Sequence, residues 1–527
     1  MKNEKNDMSE KHLINAKIQS KNKIRVKTEV SVAGFIKTIL ILFFIAVQIA
    51  LLVLLHFKYV LTSRAILITT ATISFLTCIY VLSSNRNSHS KAVWIIFLLT
   101  FYSFAYLIFW MSDERIFFNR TKKRYKAVYK STQEKLEQKV IYNTTKIKQT
   151  ADFLYSTGNF LSYNNSNMQY FSCGSLLFTD LIDSIKKAKK FVFMEFFIVS
   201  DGVLFDEIFD ILIKKASQGV IVRLIYDDLG SKRRLSNKTK IKLKKSGIKI
   251  MPFSKMLPIL SVALNYRDHR KIIVVDGKVA YTGGCNLADE YINTKQIHGY
   301  WKDTGVRIEG EAVDGLTLIF LRQWEVLSKT REDYSQFMKL SPPQNNANTV
   351  IPYADGLDYA HPIARGAYEN LIASAEKFLF IMSPYFIVDD GITNLLINKA
   401  LSGVEVKIFL PEIPDKKIVY TISRSNAEKL IDYGVKVYVV KNTFVHSKLM
   451  LTENCVAIGS VNMDLRSFYQ QFECGVITDD QKVTKSVYLD FLQTQPNSLE
   501  INQKNKRSRN IFYRIFVGLM QVFAPLM

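Results

Sequence analysis

Residues 265–286, NYRDHRKIIVVDGKVAYTGGCN, combine the signal of a buried strand with polar residues that such a strand rarely carries. The residues from Ile272 to Val275 are all β-branched, which is typical of a core strand in an α/β protein, and a Gly-Gly turn follows. His269, Lys271 and Asp276 flank this apolar run, and burying them costs free energy unless they are paired or functional. The alternative interpretation is an edge strand whose polar residues face solvent.

The same pattern recurs near the other end of the chain, in VHSKLMLTENCVAIGSVN at residues 445–462. There, His446, Lys448 and Glu453 have the spacing of the three polar residues in the first stretch. The chain contains only 7 His, so two in register within matched segments are not expected by chance. The recurrence therefore argues against the edge-strand interpretation.

The two motifs lie within a longer internal repeat. KFVFMEFFIVSDG at 190–202 is echoed by KFLFIMSPYFIVDDG at 377–391, and GVIVRLIYDD at 219–228 is echoed by GVEVKIFLPE at 403–412. In both halves short β-rich runs alternate with helical patterns, and the polar segment SPPQNNANTV separates the halves. The sequence therefore predicts an α/β fold with two tandem lobes that arose by duplication.

The duplicated motif indicates phosphodiester chemistry. Residues two apart on a strand share a face, so each motif presents an imidazole and an ammonium group together, with Asn286 and Asn462 in the turns that follow. Lysine and asparagine side chains stabilise phosphoryl oxygens, while one imidazole attacks phosphorus and the other protonates the leaving alkoxide. We expect no metal and no other cofactor, since the motifs lack the clustered carboxylates that divalent ions bind.

His-x-Lys-x4-Asp followed by Gly-Gly/Ser-x-Asn, present twice, resembles the HKD motif of the phospholipase D superfamily, and the match is closest to bacterial cardiolipin synthases. The stretches that carry the resemblance are MEFFIVSDG, YRDHRKIIVVDG, WKDTGVRIEG, SPYFI, NMDLRSF, FECG and the terminal APLM. The resemblance implies two phospholipase D-like lobes related by a pseudo-twofold axis, at 161–340 and 353–500, with a linker at 341–352.

The resemblance also implies roles for individual residues. The catalytic set it implies is His269, Lys271, Asp276, His446, Lys448 and Glu453. The phosphate-binding groups among the matched positions are Lys271, Lys448, Asn286 and Asn462. Asp303 and Glu473 match carboxylates that orient the imidazoles, each reaching the His of the opposite half. Glu453 departs from the family's Asp by one methylene, so we expect it to support the strand and turn rather than to take part in chemistry.

The first third of the chain is membrane-like. Residues 38–55, 65–82 and 92–111 contain no Asp, Glu, Lys or Arg, which predicts two or three transmembrane helices within 38–112. The basic tail at 1–37 and the basic juxtamembrane linker at 113–160 both favour the cytoplasmic side, so the side of the N-terminus stays open. We expect a multi-pass protein of the cell membrane with a cytoplasmic catalytic domain.

The charge of the chain indicates an anionic partner. Lys and Arg number 71 against 47 Asp and Glu, a formal net charge of +24. Because the basic stretches adjoin membrane segments, we expect anionic membrane lipids rather than nucleic acid. The segment 501–527 joins a basic stretch to an apolar one, which is typical either of an interfacial helix or of a helix that covers the lobes.

The resemblance implies a membrane-bound cardiolipin synthase, which joins two phosphatidylglycerols and releases glycerol through a phosphohistidine. The two motifs are pseudo-symmetric; we assign His269 as the nucleophile and His446 as the general acid, and the reverse assignment stays open. A hydrolytic phospholipase D or another phosphatidyltransferase is an alternative, and a nuclease is a more distant one. The sequence does not predict the oligomeric state.

Overall fold

The computed structural model describes residues 60–84, 86, 88–112, 119–133, 145–254, 266–356, 359, 361–507 and 510–521. The chain divides into two compact units, Met1–Ser112 and Asp113–Met527. The described helices of the first unit are α1 (Val60–Ser83), α2 (Ser88–Thr100) and α3 (Ala105–Ser112). They pack around a small apolar cluster that includes Val81, Leu98 and Phe109.

The predicted membrane spans are only partly found in this unit. The segment 38–55 lies outside the described residues, and 65–82 falls within α1. The segment 92–111 is divided between α2, with 13 residues, and α3, with 8, each short of the roughly 20 that span a bilayer, so a span here is not confirmed. Phe104 and Leu107 donate backbone hydrogen bonds to carbonyls three residues earlier, which tightens the turn between these helices. Within the described part of the chain, only Arg64–Ser83 is long and apolar enough to cross a membrane.

The second unit contains the predicted pair of α/β lobes. The strands of the first lobe are β1 (Ser166–Phe171), β2 (Phe191–Phe196), β3 (Ile221–Asp227), β4 (Lys249–Phe253), β5 (Ile272–Val275), β6 (Val279–Gly283), a separate β7 (Tyr300–Lys302) and β8 (Gly305–Gly310). Apart from β7 they form one 7-stranded sheet, in the order β1-β8-β6-β5-β2-β3-β4.

The second lobe has the larger sheet. Its strands are β9 (Val350–Asp355), β10 (Phe378–Met382), β11 (Phe386–Ile387), β12 (Glu405–Pro411), β13 (Lys436–Val440), β14 (Thr443–Val445), β15 (Leu449–Thr452), β16 (Val456–Gly459), β17 (Met463–Asp464), β18 (Glu473–Thr478) and β19 (Ser498–Ile501). Its 8-stranded sheet has the order β19-β13-β12-β10-β15-β16-β18-β9, while β11 pairs with β17 and β14 pairs with β7.

The two sheets have the same topology. Read from edge to edge, the order β1-β8-β6-β5-β2-β3-β4 of the first sheet corresponds one to one with the order β9-β18-β16-β15-β10-β12-β13 of the second. Strand β19 is an addition at the edge of the second sheet. The motif strands β5 and β15 are each hydrogen-bonded to a strand on both sides. Both are therefore central, which explains their wholly buried sequences IIVV and LMLT and excludes the edge-strand interpretation.

Helices cover the sheets and fill the space between the lobes. They are α4 (Asn119–Gln133), α5 (Thr145–Gly158), α6 (Gly174–Lys187), α7 (Val203–Ser217), α8 (Asp228–Ser231), α9 (Asn237–Lys245), α10 (Val313–Ser328), α11 (Ile363–Ser374), α12 (Asp390–Leu401), α13 (Lys417–Leu430), α14 (Leu465–Tyr469), α15 (Gln481–Thr494) and α16 (Ile511–Gln521). Helix α10 is buried along most of its length, and its Phe320 stacks on Phe193 of β2 with 4.8 Å between ring centroids. The same apolar core includes Tyr353 of β9, so one core joins the two lobes.

Within the region 113–160, which we predicted to be a basic juxtamembrane linker, the described residues 119–133 and 145–160 group with the second unit. In α4, Tyr125 and Val128 are buried in the shared core, and the Tyr125 hydroxyl donates to Gln323 Oε1 at 3.0 Å. The Tyr125 ring also lies 5.3 Å from that of Phe472. Tyr125 and Val128 are three residues apart and therefore share one face of the helix. The many basic residues around them made this apolar pair hard to recognise in the sequence.

Candidate active site

Both motifs are held at the junction of the two lobes by backbone hydrogen bonds. The His269 N–H donates to the Phe472 carbonyl at 2.8 Å, and the Phe472 N–H donates to the Arg267 carbonyl at 2.9 Å. In the other half β14 pairs in parallel with β7, and the His446 N–H donates to the Lys302 carbonyl at 2.8 Å. Each motif is therefore clamped by a segment of the opposite lobe.

The histidines precede the motif strands instead of lying on them, which corrects the sequence-based placement. Strand β5 begins at Ile272 and β15 begins at Leu449, so His269 and His446 occupy the segments that lead into them. These segments run between the lobes, where pairing with the opposite lobe replaces pairing within the sheet. The strands still serve as rigid supports, since all their neighbours are fixed in the sheet.

Each imidazole is held by a carboxylate from the opposite lobe. His269 Nδ1 lies 2.9 Å from Glu473 Oε1, and His446 Nδ1 lies 2.5 Å from Asp303 Oδ2. A hydrogen bond between Nδ1–H and a carboxylate leaves Nε2 as the nitrogen available for chemistry. The structure thus brings four of the predicted residues together in two crossed pairs.

The two carboxylates have different surroundings. Burial raises the pKa of Glu473 to about 7, against the opposing influence of Lys271 and of the hydroxyls of Ser460 and Ser467, which donate to the carboxylate. Burial acts on Asp303 in the same direction, but Lys448 and His446 outweigh it, and the pKa of Asp303 falls below its ordinary value. Asp303 is therefore ionised at neutral pH, whereas Glu473 is close to its midpoint.

Two buried lysines lie beside the imidazoles. Lys271 Nζ donates to the carbonyl of His269 at 2.5 Å, and Lys448 Nζ lies 2.8 Å from His446 Nδ1. Burial lowers the pKa of Lys271 to about 7 and that of Lys448 to about 8. Burial and the neighbouring lysines also lower the pKa of His269 well below its ordinary value and that of His446 to about 4. A bound anion would favour the cationic forms of all these groups, so the site is suited to a phosphate.

The two asparagines differ in how far their amides are already used. Asn286 accepts a hydrogen bond from the Ile198 N–H at 3.0 Å and donates to the Tyr291 hydroxyl at 2.6 Å, which leaves one Nδ2–H for a ligand. Asn462 is buried, and its amide oxygen has no hydrogen-bond partner among the described residues. The Asn286 amide thus has both its oxygen and one N–H in hydrogen bonds, whereas the oxygen of the Asn462 amide is unused among the described residues.

Asp276 and Glu453, which the resemblance places in the catalytic set, lie at the opposite ends of the motif strands from the histidines. Each carboxylate accepts hydrogen bonds from three consecutive backbone N–H groups that lead into the adjacent strand. The donors to Asp276 are residues 189–191, at 2.7 to 2.9 Å, and those to Glu453 are residues 376–378, at 2.8 to 3.4 Å. Both carboxylates therefore fasten the motif strand to its neighbour, and the catalytic role of Asp276 stays a prediction.

Sequence reasoning missed Arg270, which lies between the His and the Lys of the first motif. Its guanidinium donates to the Glu473 carbonyl at 3.2 Å and to the Asp355 carbonyl at 2.9 Å, and it lies over the Phe472 ring. Arg270 thereby ties the first motif to the segment that carries Glu473. The available signal was an arginine beside a central strand, where a charge needs partners from elsewhere in the fold.

Aromatic rings line both imidazoles. Phe197 lies 5.3 Å from the ring of His269, and Tyr291 and Trp301 lie 5.5 and 5.3 Å from that of His446. These rings keep the surroundings of the histidines apolar, which strengthens electrostatic interactions in the site. Within the ranges described, no group of three or more His, Cys, Asp or Glu is placed to hold a metal ion.

Comparison with known proteins agrees with this geometry. A family model described as "Cardiolipin synthase, PLD-like domain" matches residues 181–304 and 368–494, one stretch in each lobe. A cardiolipin synthase from Halalkalibacterium halodurans is 32% identical over 461 residues, covering 85% of this chain and 91% of that protein. One from Staphylococcus aureus is 33% identical over 390 residues, covering 73% of this chain and 78% of that protein.

A solved structure supports the fold independently. The phosphatidylserine synthase of Haemophilus influenzae superposes with a TM-score of 0.55 at 16% identity, covering 72% of this chain and 98% of that one. At this identity the likeness concerns the fold alone. The sequence matches extend over both lobes and include both histidine motifs. The chain therefore belongs to the cardiolipin synthase family of phospholipase D-like proteins.

Proposed function

We propose that the chain is a membrane-bound cardiolipin synthase, which transfers the phosphatidyl group of one phosphatidylglycerol to a hydroxyl of another and releases glycerol. The observation that carries the proposal is the crossed arrangement of two imidazole–carboxylate pairs beside two buried lysines. Membership of the cardiolipin synthase family supports the substrate class.

The reaction divides into two displacements at one phosphorus. His269 Nε2 attacks phosphorus, the bond to the glycerol oxygen breaks, and the His446 imidazolium gives its proton to that oxygen. A hydroxyl of the second phosphatidylglycerol then loses its proton to His446 and attacks the same phosphorus. The phosphorus–nitrogen bond breaks, which releases cardiolipin and restores both imidazoles.

The carboxylates support this assignment of the two histidines. A general acid must be protonated before the first step. The pKa of about 4 leaves His446 neutral in the empty site, so it gains its proton when the anionic substrate binds, and the ionised Asp303 at 2.5 Å stabilises that imidazolium. A nucleophile must be neutral, and Glu473 with its pKa of about 7 gives weaker support to a cation at His269. Lys271 and Lys448 bind the non-bridging oxygens, with Asn462 and the free Nδ2–H of Asn286 as further donors.

Transfer is favoured over hydrolysis by the apolar surroundings of the imidazoles. Water in place of the second lipid hydroxyl would yield phosphatidic acid and make the chain a phospholipase D. His269 and His446 are 6% and 8% exposed and are lined by aromatic rings, which limits the access of water to the intermediate.

Location at a membrane is part of the proposal. The helix segment Arg64–Ser83 is long and apolar enough to span a bilayer, and the sequence adds the uncharged segment 38–55. The basic stretch RTKKRYKAVYK at 120–130 favours the cytoplasmic side for the catalytic unit. We therefore propose a multi-pass protein of the cell membrane with its catalytic unit in the cytoplasm.

Incubation of the purified full chain with labelled phosphatidylglycerol tests the proposal. Cardiolipin and glycerol are expected in equal amounts, and neither should form with His269→Ala or His446→Ala. Phosphatidic acid as the main product would identify a hydrolase, and cleavage of single-stranded DNA in a parallel incubation would identify a nuclease. Alkaline denaturation during turnover should leave the lipid label on His269, and label on His446 would reverse the two roles.

A further inference from the structure

The C-terminal helix α16 is attached to the second lobe by one of its faces. The Tyr513 hydroxyl donates to the Thr421 carbonyl of α13 at 3.0 Å, and Val517 is buried. Met520 packs against an apolar cluster that includes Ile422 and Leu465. These positions follow helical spacing, so they form one stripe along the helix. This inner face of α16 covers part of the second lobe.

The outer face of α16 is also apolar. The exposed side chains there are Ile511 (56%), Phe512 (79%), Ile515 (56%), Phe516 (45%) and Leu519 (61%). The helix sequence IFYRIFVGLMQ carries a single charged residue. A helix that is apolar on all sides is typical of burial in protein or in lipid, and a continuous exposed apolar stripe marks a contact surface.

Basic residues gather at the N-terminal end of the same helix. A cleft of about 490 Å³ is lined by Lys504, Asn505, Lys506, Arg507, Asn510 and Tyr513. The stretch KNKRSRN at 504–510 contains four basic residues and no acidic one. Lys506 forms an ion pair with Asp432 at 2.8 Å, and the basic residues of the stretch still outnumber this acidic partner. The cleft therefore keeps a positive charge next to the apolar stripe.

We propose that α16 and this basic cleft form a second lipid-binding surface, separate from the active site, which docks the second lobe on an anionic bilayer. The phosphates of anionic phospholipids occupy the cleft, and their acyl chains cover the outer stripe of α16. A soluble anion would bind in the basic cleft but leave the apolar stripe of α16 exposed to water. A lipid of an anionic bilayer contacts both surfaces. This inference rests on the proposed function in one respect, because it takes the protein to be bound to a membrane.

Docking at this surface also positions the active site. Leu465, a member of the cluster against which Met520 packs, follows β17, and β17 directly follows Asn462. Strand β17 pairs in parallel with β11, which adds Ile387 to the same apolar cluster. The inner stripe of α16 is thus connected through two short strands to a proposed phosphate-binding residue. A bilayer bound at the outer stripe therefore sets the orientation of this lobe relative to the lipid headgroups.

Quenching by lipid tests the surface in the full chain reconstituted into vesicles. A fluorophore is attached at Phe512→Cys, or at Leu401→Cys on α12 as a control that is also exposed and apolar (67%). Both variants carry Cys173→Ser, since the four other cysteines are buried. With phosphatidylglycerol and nitroxide-labelled phosphatidylcholine, we expect severalfold stronger quenching at 512 than at 401. Equal quenching at the two positions would overturn the proposal.

The anionic requirement is tested in the same assay. Vesicles of phosphatidylcholine alone, or the added changes Lys504→Glu and Arg507→Glu, should weaken the quenching at 512 severalfold. If neither the neutral vesicles nor the two substitutions weaken the quenching at 512, the cleft does not bind anionic lipid and that part of the proposal is wrong. Neither measurement needs turnover, so loss of the docking signal in a chain that still makes cardiolipin would contradict this inference and leave the proposed function standing.

An activity measurement separates docking from folding. Phe512→Glu combined with Phe516→Glu should lower cardiolipin synthesis from long-chain phosphatidylglycerol in vesicles severalfold. Synthesis from a short-chain phosphatidylglycerol that is monomeric in water should stay at the parental rate, and Leu401→Glu should change neither. Equal losses on both substrates would show that the outer stripe serves the fold, and the docking proposal would be wrong.

Discussion

Glu473 and Asp303 perform the same proposed task with different proton affinities, and this difference predicts the pH dependence of the reaction. Glu473 must be ionised to hold the His269 proton, so kcat/KM should rise with pH through about 7, the pKa of Glu473. Lys271 and Lys448 must be protonated to bind phosphate, so kcat/KM should fall as pH passes about 7 to 8, their pKa values. A bell-shaped profile with a maximum near neutrality is expected from initial rates with phosphatidylglycerol.

Conservative variants of the two carboxylates identify the acidic limb of that profile. Glu473→Gln should lower kcat and remove the acidic limb, because no carboxylate then titrates beside His269. Asp303→Asn should lower kcat by roughly 10²–10⁴-fold but keep the limb, since Asp303 is ionised throughout this range. An unchanged acidic limb in Glu473→Gln would contradict the assignment.

Glu453 is a carboxylate of the second motif whose contacts are all structural. Its three backbone donors at 376–378 lead into β10, as residues 189–191 lead from Asp276 into β2. Glu453→Ala should therefore destabilise the fold by about 1–3 kcal/mol, as loss of a charged acceptor does. Turnover per folded molecule should stay within a few-fold of the parent, and Glu453→Asp should come closer still. A stable Glu453→Ala protein as inactive as His446→Ala would place this residue in the chemistry.

Helix α4 supports the active site from outside the lobes. Tyr125 packs on Phe472, which precedes Glu473 and bonds to the backbone of the first motif. Tyr125→Ala should cost about 3–5 kcal/mol through the cavity it leaves, and should lower kcat by loosening the segment that carries Glu473. Tyr125→Phe removes only the hydrogen bond to Gln323 and should cost about 1 kcal/mol with normal turnover.

The neighbouring residue on α4 provides the control for this prediction. Lys126 is exposed, so Lys126→Ala should change neither the melting temperature nor kcat. Thermal unfolding and initial rates measured on all three variants decide the outcome. Normal stability of Tyr125→Ala would mean that α4 is not an integral part of the catalytic unit.

Some elements could be predicted from the sequence because their signals are local. The repeat of strand-like runs and the apolar sequences of β5 and β15 are such signals, and the α/β fold with two lobes is confirmed. The pairing of β7 with β14 and the contacts of Arg270 join residues far apart in sequence, which spacing within a motif does not reveal. The resemblance supplied Asp303 and Glu473, whereas the backbone contacts of Asp276 with residues 189–191 could not be read from its position in the motif.

In the proposed reaction, the negative charge of the reacting phosphate is balanced by two lysines rather than by a metal ion bound to carboxylates. Lys271 and Lys448 are both buried, and in the proposed reaction they bind the phosphoryl oxygens. Cardiolipin synthesis should therefore persist at the parental rate after extensive treatment with a chelator. Complete loss that is restored by Mg²⁺ or Zn²⁺ would show that a metal ion takes part.

The crossed histidine–carboxylate pairs are formed within one chain, and this predicts the outcome of combining two inactive variants. His269→Ala and His446→Ala, co-expressed with different tags and purified through both tags, should give no cardiolipin, because each chain lacks one imidazole of its own site. If lobes were exchanged between chains, one of the two sites in each mixed dimer would keep both imidazoles, and roughly half of the parental activity would return in the doubly purified sample. Co-expression of the parent with His269→Ala shows that mixing itself does not inactivate the enzyme. Activity recovered from the two inactive variants would mean that the site is assembled from two chains.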